Sequence, residues 1–155
     1  MIETSFKLGV VMERRQLADR WQSVQWRPIG LDLDAVAVAP PQMIDKDASR
    51  ERWLYPGLEV RLYRDEAEGY FLNCSAEQPV VFIAWRIQDQ VAQPWLATAS
   101  YNEASRMLDS SENVEGVSMP SELFHEISAF VTLHYKGLPK KRSKPPSFKG
   151  AFRDE

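Results

Sequence analysis

Apolar residues crowd together in Val80-Val-Phe-Ile-Ala-Trp85, an unbroken run rich in β-branched and aromatic side chains. Such a run predicts a strand covered on both faces. Around it the pattern changes. Leu58, Val60 and Leu62 alternate with Glu59, Arg61 and Tyr63, the period of a half-buried strand. Arg64 to Gly69 reads as a polar turn, with Tyr70 to Ser75 returning as the second arm of a hairpin. After Val80 to Gln88, a polar connection through Pro94 leads to Trp95 to Ser100. Leu58 to Ser100 is therefore expected to form a four-stranded antiparallel meander. Upstream, Phe6 to Arg14 and Val24 to Ile29 read as two more strands, the second placed at an edge or a strand end by Pro28. Leu31 to Ala39 either extends that strand or starts another. Pro40 to Tyr55, with paired prolines and little periodicity, reads as a long loop that Trp53-Leu-Tyr55 pins to the body.

The pattern becomes helical at Ser100. Ser100-Tyr-Asn-Glu103 has the spacing of a capping box and predicts a short helix to about Leu108 or Asp109. After a polar loop, Ser118-Met-Pro-Ser-Glu122 opens a second helix, which runs to about Tyr135 or Lys136 and is stopped by Gly137. Leu123, Phe124, Ile127, Phe130, Val131 and His134 share one stripe of it, so this helix either covers a sheet face or plugs the end of a curled sheet. The expected fold is α+β: an antiparallel, strongly curled sheet of about six strands covered by a C-terminal helix, plus one shorter helix. Residues 1–137 form one domain, and 138–155 a basic, proline-containing tail.

Composition adds limits. A chain of 155 residues buries about two-thirds of its unfolded surface without a disulfide or metal staple. Its lone cysteine, Cys74, excludes an intramolecular disulfide and points to a reducing compartment. The apolar run Leu8 to Met12 is too short for a signal-peptide core or a membrane span, so a cytoplasmic location is expected. The net charge of −3 is unevenly spread: residues 136–155 hold seven Lys/Arg against two acids (+5), leaving twelve against twenty (−8) in residues 1–135. A basic tail on an acidic body is expected to touch something acidic, whether a partner or the body itself.

Candidate chemistry is sparse. Four zinc ligands are not supplied by one cysteine and two histidines, with His125 predicted to face away from the apolar stripe and His134 into it. Cys74 reads as a small packed residue rather than a nucleophile. No G-x-G-x-x-G or P-loop pattern occurs among the seven glycines, and the acids of Asp32/Asp34, Asp45/Asp47 and Asp65/Glu66/Glu68 read as solvated turn charges. No catalytic, metal or cofactor residues are assigned, and a non-enzymatic protein is expected. Trp85 and Trp95 are assigned to the core. Trp21 and Trp26, with Arg14, Arg15, Arg20 and Arg27 nearby, define either an aromatic and basic recognition surface or indoles shielding a sheet edge. The candidate partner-binding residues are Arg14, Arg15, Trp21, Trp26, Arg27 and, in the tail, Lys140, Lys141, Arg142 and Lys144.

Several stretches together resemble an uncharacterised bacterial family, a domain of unknown function. They are Val10 to Arg15, Trp21-Gln22 with Trp26-Arg-Pro28, Arg64 to Tyr70 with Asn73, Pro79 to Arg86, Thr98 to Ala104, Met119-Pro120, and Phe130 to His134 followed by Lys140-Lys-Arg142. Genes of that family often lie beside those for molybdenum-dependent formate dehydrogenase, and some members are labelled molybdopterin-guanine dinucleotide biosynthesis protein A. The nucleotidyltransferase of that label resembles a larger α/β enzyme with a glycine-rich loop near its N-terminus. This chain has neither the loop nor the βαβ alternation. The resemblance therefore implies an accessory protein for assembly or maturation of formate dehydrogenase, acting through protein contacts. The alternative is binding of an anionic ligand or nucleic acid through the basic tail.

Overall fold

The computed structural model describes residues 2–18, 21 and 23–137. The element order is β1 (Ile2–Gln16), β2 (Val24–Asp32), β3 (Gln42–Lys46), β4 (Arg50–Tyr63), α1 (Ala67–Cys74), β5 (Val80–Gln88), β6 (Val91–Thr98), α2 (Tyr101–Asp109), β7 (Asn113–Ser118) and α3 (Ser121–His134). The strands form one sheet in the order β2-β1-β4-β6-β5-β7, with β3 on the first part of β4. The pairing is antiparallel except between β4 and β6, which run parallel and meet at Val60 and Ala97. The sheet is thus mixed, and it curls until its two edges, β2 and β7, lie against each other.

Curling follows from the long strands. β1 carries register shifts at Leu8/Val10 against β4 and at Val11/Met12 against β2, and an extra residue on one strand bends it and increases its twist. Leu8, Val10 and Met12 on β1, Val60 and Leu62 on β4, and Val81 and Ile83 on β5 are fully buried in one cluster. Closing a sheet around such a core leaves few free edges.

Three expectations are corrected. Tyr70 to Ser75 is not a strand: a 3-10 turn at Arg64–Glu66 leads straight into α1. Ala67, Gly69, Tyr70 and Asn73 are the buried positions there, and the spacing of three among Ala67, Tyr70 and Asn73 was disguised by the aromatic, strand-like composition of Tyr70-Phe-Leu72. Pro40 to Tyr55 is not a loop, because it contains β3 and the start of β4, paired to each other. Every residue of β3 is exposed, which is why no apolar period marks it. The segment after α2 is not merely polar, since β7 pairs along β5 from Asn113 to Ser118. The meander fails for the same reasons. With a helix in place of its second strand, the chain returns through β5 and β6 so that β6 lies parallel to β4.

The β2–β3 connection must cross β1 and β4 to reach its pairing site. It does so over two glycines. A Cβ on Gly9 would stand 2.7 Å from Ala35 Cβ, and one on Gly57 would stand 2.6 Å from Val38 Cα. Gly57 also has φ of 78°, a conformation that side chains disfavour, and its N–H donates to the Ala35 carbonyl at 3.0 Å.

The helices gather where β4 and β6 finish and β5 begins. Asn73 of α1 is 3% exposed and stitches that end together. Its amide donates to the carbonyls of Val80 (2.7 Å) and Ala99 (2.9 Å), and its oxygen accepts from Val80 N–H (3.1 Å). α3 packs against α1, with Phe130 edge-on to Tyr70 and Tyr135 stacked on Phe71. Leu123, Ile127 and Phe130 join the core cluster of the strands. Of the two placements open to this helix, it takes the plug of a curled sheet's end rather than the cover of a face. α2 starts at the same end and returns along the outside of β5 and β7. Ser100 caps it, its hydroxyl accepting from Glu103 N–H. The reciprocal half of the capping box is replaced, because Ser100 N–H donates to Thr98 Oγ1.

Candidate functional site

With the helices at one end, the other end of the curled sheet is left to turns and strand termini. A cleft of about 470 Å³ opens there between β2 and the β5–β7 side, lined among others by Arg14, Trp26, Arg27, Trp85, Gln90 and Glu115. Arg14 and Trp26 are register partners on β1 and β2. The period of two along β1 puts Arg14 on the side of the buried Met12, directing it into the cleft rather than onto the outer face. Trp26 and Trp85, both under a tenth exposed, form fixed apolar walls.

Two side-chain links hold this end. Trp26 Nε1–H donates to the Gln90 carbonyl at 3.3 Å, and Tyr55 O–H donates to the Ala92 carbonyl at 2.7 Å. Burial pushes the Tyr55 hydroxyl up to about 12. Gln90 belongs to the β5–β6 loop, where Asp89 and Gln90 have φ of 53° and 66°. A two-residue hairpin loop demands such left-handed pairs and ordinarily recruits Asn or Gly for them. Here the strain falls on a cleft residue whose carbonyl is tied down by an indole.

An ion pair closes the rim. Arg27 of β2 donates through Nε to Glu115 Oε2 of β7 at 3.1 Å and also through Nη2, and the carboxylate raises the Arg27 guanidinium further above its ordinary range. The pair continues a row of alternating charge across the strands. Asp45, Arg52, Glu13 and Arg27 are successive register partners on β3, β4, β1 and β2. Arg52 bonds both Asp45 (2.8 Å) and Glu13 (3.3 Å). Glu13 is 6% exposed and has Arg15 and Arg50 3.7 Å away as well. A carboxylate so enclosed by guanidinium groups is compensated structurally.

The structure therefore divides the predicted residues. Arg14 and Trp26 come together in the cleft, and Arg27 reaches its rim from the neighbouring face through Glu115. Arg15 does not, because it alternates to the face of Glu13. Trp21 lies in the β1–β2 connection and is 85% exposed. Lys140, Lys141, Arg142 and Lys144 lie outside the described residues. Trp85 is buried as expected, whereas Trp95 is not core: it is 39% exposed on the outer face, with the Arg86 guanidinium 4.2 Å from its ring centroid. Arg86 is held in turn by Glu112 at 2.7 Å. Trp95 also lines a second, outer groove of about 330 Å³ beside β4, with Arg61, Tyr63 and Glu103.

Sequence reasoning missed Gln90, Asn113 and Glu115 as cleft residues. The last two sit on β7, whose place is fixed by pairing with β5 and not by any period of its own. Cys74 is half-buried on α1, and its thiol is raised by burial, an effect partly offset by a bond with Ser128. Among the described residues no cluster of three or more His, Cys, Asp or Glu is placed to hold a metal ion, and no helix there is long and apolar enough to cross a membrane.

The fold defines a small α+β protein built on a nearly closed, curled sheet with helices at one end and a cleft at the other. The family described as "Protein of unknown function (DUF3305)" matches residues 7–144, and the chain belongs to it. No curated protein and no solved structure matches the chain.

Proposed function

We propose that this chain is a non-enzymatic accessory protein that works by binding, and that its partner is a molybdenum-dependent formate dehydrogenase or a protein that matures it. The observation that carries the binding role is the meeting of Arg14, Trp26 and Arg27 in one cleft at the helix-free end, with Trp21 exposed in the connection between the two strands that carry them. Indole and guanidinium groups are enriched at the anchoring centres of protein interfaces. The identity of the partner is supported by the resemblance and its gene context alone. The basic tail, through Lys140, Lys141, Arg142 and Lys144, supplies a second contact to an acidic surface. A cytoplasmic site of action belongs to the same reading.

The test is affinity purification of the tagged chain from its native host grown with formate and molybdate, with mass spectrometry of what is retained. Recovery of formate dehydrogenase or its cofactor-insertion proteins, reduced by Trp21→Ala and by removal of residues 140–155, is the expected result. Equal recovery by both variants refutes the assignment of the surface, and absence of these proteins refutes the partner. A second reading rests on the +5 balance of residues 136–155: binding of nucleic acid through the tail. It requires affinity that falls steeply with salt and disappears when the tail is removed.

A further inference from the structure

We propose that the open-end cleft is a small-molecule site for a flat anion, an aromatic ring bearing one carboxylate or phosphate. The inference uses the same cleft as the reading above but requires neither the partner named there nor the basic tail. At about 470 Å³ the cleft falls within the range of ligand pockets, which pair apolar walls with a few directed polar groups. Trp26 and Trp85 are the walls, and both are fixed. Trp26 is anchored through Nε1 to the Gln90 carbonyl, while the Trp85 ring is held by packing in the core cluster, 7% exposed.

The polar element is Arg14. Among the described residues its ionic neighbour is Glu51, at 3.9 Å, beyond hydrogen-bonding reach. Glu51 is otherwise engaged: Oε1 accepts from Trp53 Nε1–H at 3.0 Å, and Oε2 has Lys46 Nζ 4.0 Å away. The guanidinium therefore keeps its fork of donors for an incoming group. A planar fork with several N–H donors matches carboxylate and phosphate oxygens. The other cleft arginine, Arg27, is spent on Glu115, so one anionic group is accommodated and a second is not. The ring of the ligand lies along the indole walls, and the amide of Gln25 in the lining completes the polar rim.

The test uses the full-length chain with two probes, salicylate for the carboxylate and adenosine monophosphate for the phosphate, followed by the indole N–H resonances of the five tryptophans in nitrogen-15 NMR spectra. Saturable shifts of Trp26 and Trp85 with either probe, and little movement of Trp95 on the outer face, are expected. The probe that binds more tightly identifies the anionic group. Arg14→Gln should weaken binding by roughly tenfold to a hundredfold, the worth of hydrogen bonds to a charged group, whereas Arg61→Gln in the outer groove should leave it unchanged. Arg14→Lys, which keeps the charge without the fork, should fall between. No shift of Trp26 or Trp85 with either probe in the unaltered protein overturns the proposal, as does equal binding by a folded Arg14→Gln variant. Shifts confined to other residues do so too, because they place the anion elsewhere.

Discussion

Replacing Asn73 by alanine should be among the most damaging single changes outside the apolar core. Its side chain is 3% exposed and makes three hydrogen bonds that join α1 to the start of β5 and to Ala99, just past the end of β6. A typical internal hydrogen bond contributes about 1 kcal/mol net, and each buried partner left unsatisfied adds to the loss. Asn73→Ala strips the bonds from the Val80 N–H and carbonyl and from the Ala99 carbonyl together, so the expected destabilisation is about 3 kcal/mol. For a chain of this size that lowers Tm by roughly 6–12 °C. Urea denaturation followed by circular dichroism measures it, with the dependence on denaturant unchanged if only the native state is affected. Asn73→Asp separates hydrogen bonding from packing. The shape is kept, but an acceptor replaces the donor that faces two carbonyls, so it should be at least as destabilising as alanine. A loss below about 1 kcal/mol in both variants would refute the stitch and mean that water replaces the side chain at little cost.

Gly57→Ala should destabilise by about 2–3 kcal/mol, because the new methyl meets the Val38 backbone at 2.6 Å with φ at 78°; thermal unfolding at or above the parent Tm would show that the crossing connection simply yields. A double-mutant cycle on Arg27→Ala and Glu115→Ala should give a coupling below about 1 kcal/mol that shrinks with salt, and a larger, salt-insensitive value would make the rim pair a structural clasp. Tyr55 rises from its ordinary 10 to about 12 through burial. Its neutral form is favoured by folding, so this stability is fully present below pH 10 and is lost as pH rises through 12. Denaturation midpoints across that alkaline window should fall less steeply in Tyr55→Phe, which at neutral pH loses about 1 kcal/mol with its bond to Ala92.

The reading of a candidate surface from sequence can bring residues together only where neighbours in the chain are also neighbours in space. Arg14 and Trp26 flank one connection and become register partners on β1 and β2. It failed on the cleft's far wall, since Gln90 and Glu115 reach it only through β5, β6 and β7. Arg15 shows the opposite error. Adjacent to Arg14 in sequence, it lies on the other face, where it helps to surround Glu13.

By itself the sequence determined those elements whose side-chain period matches their burial. β5 announces itself by a continuous apolar run, the later part of β4 by alternation, α2 by the Ser100 cap and α3 by its stripe. Each of these signals is local, because one residue and its near neighbours carry the physical reason. Tertiary structure decided the rest. β3 is a strand because β4 offers it a partner, β7 because β5 does, and backbone pairing of this kind is nearly indifferent to side-chain type. Tyr70 to Cys74 is helical because Ala67, Tyr70 and Asn73 fit one surface at the end of the sheet, a choice no strand propensity could override. The cleft likewise exists only once bulges curl the sheet and bring β2 to β7. Its chemistry belongs to residues up to about a hundred positions apart, from Arg14 to Glu115, whose proximity no local pattern encodes.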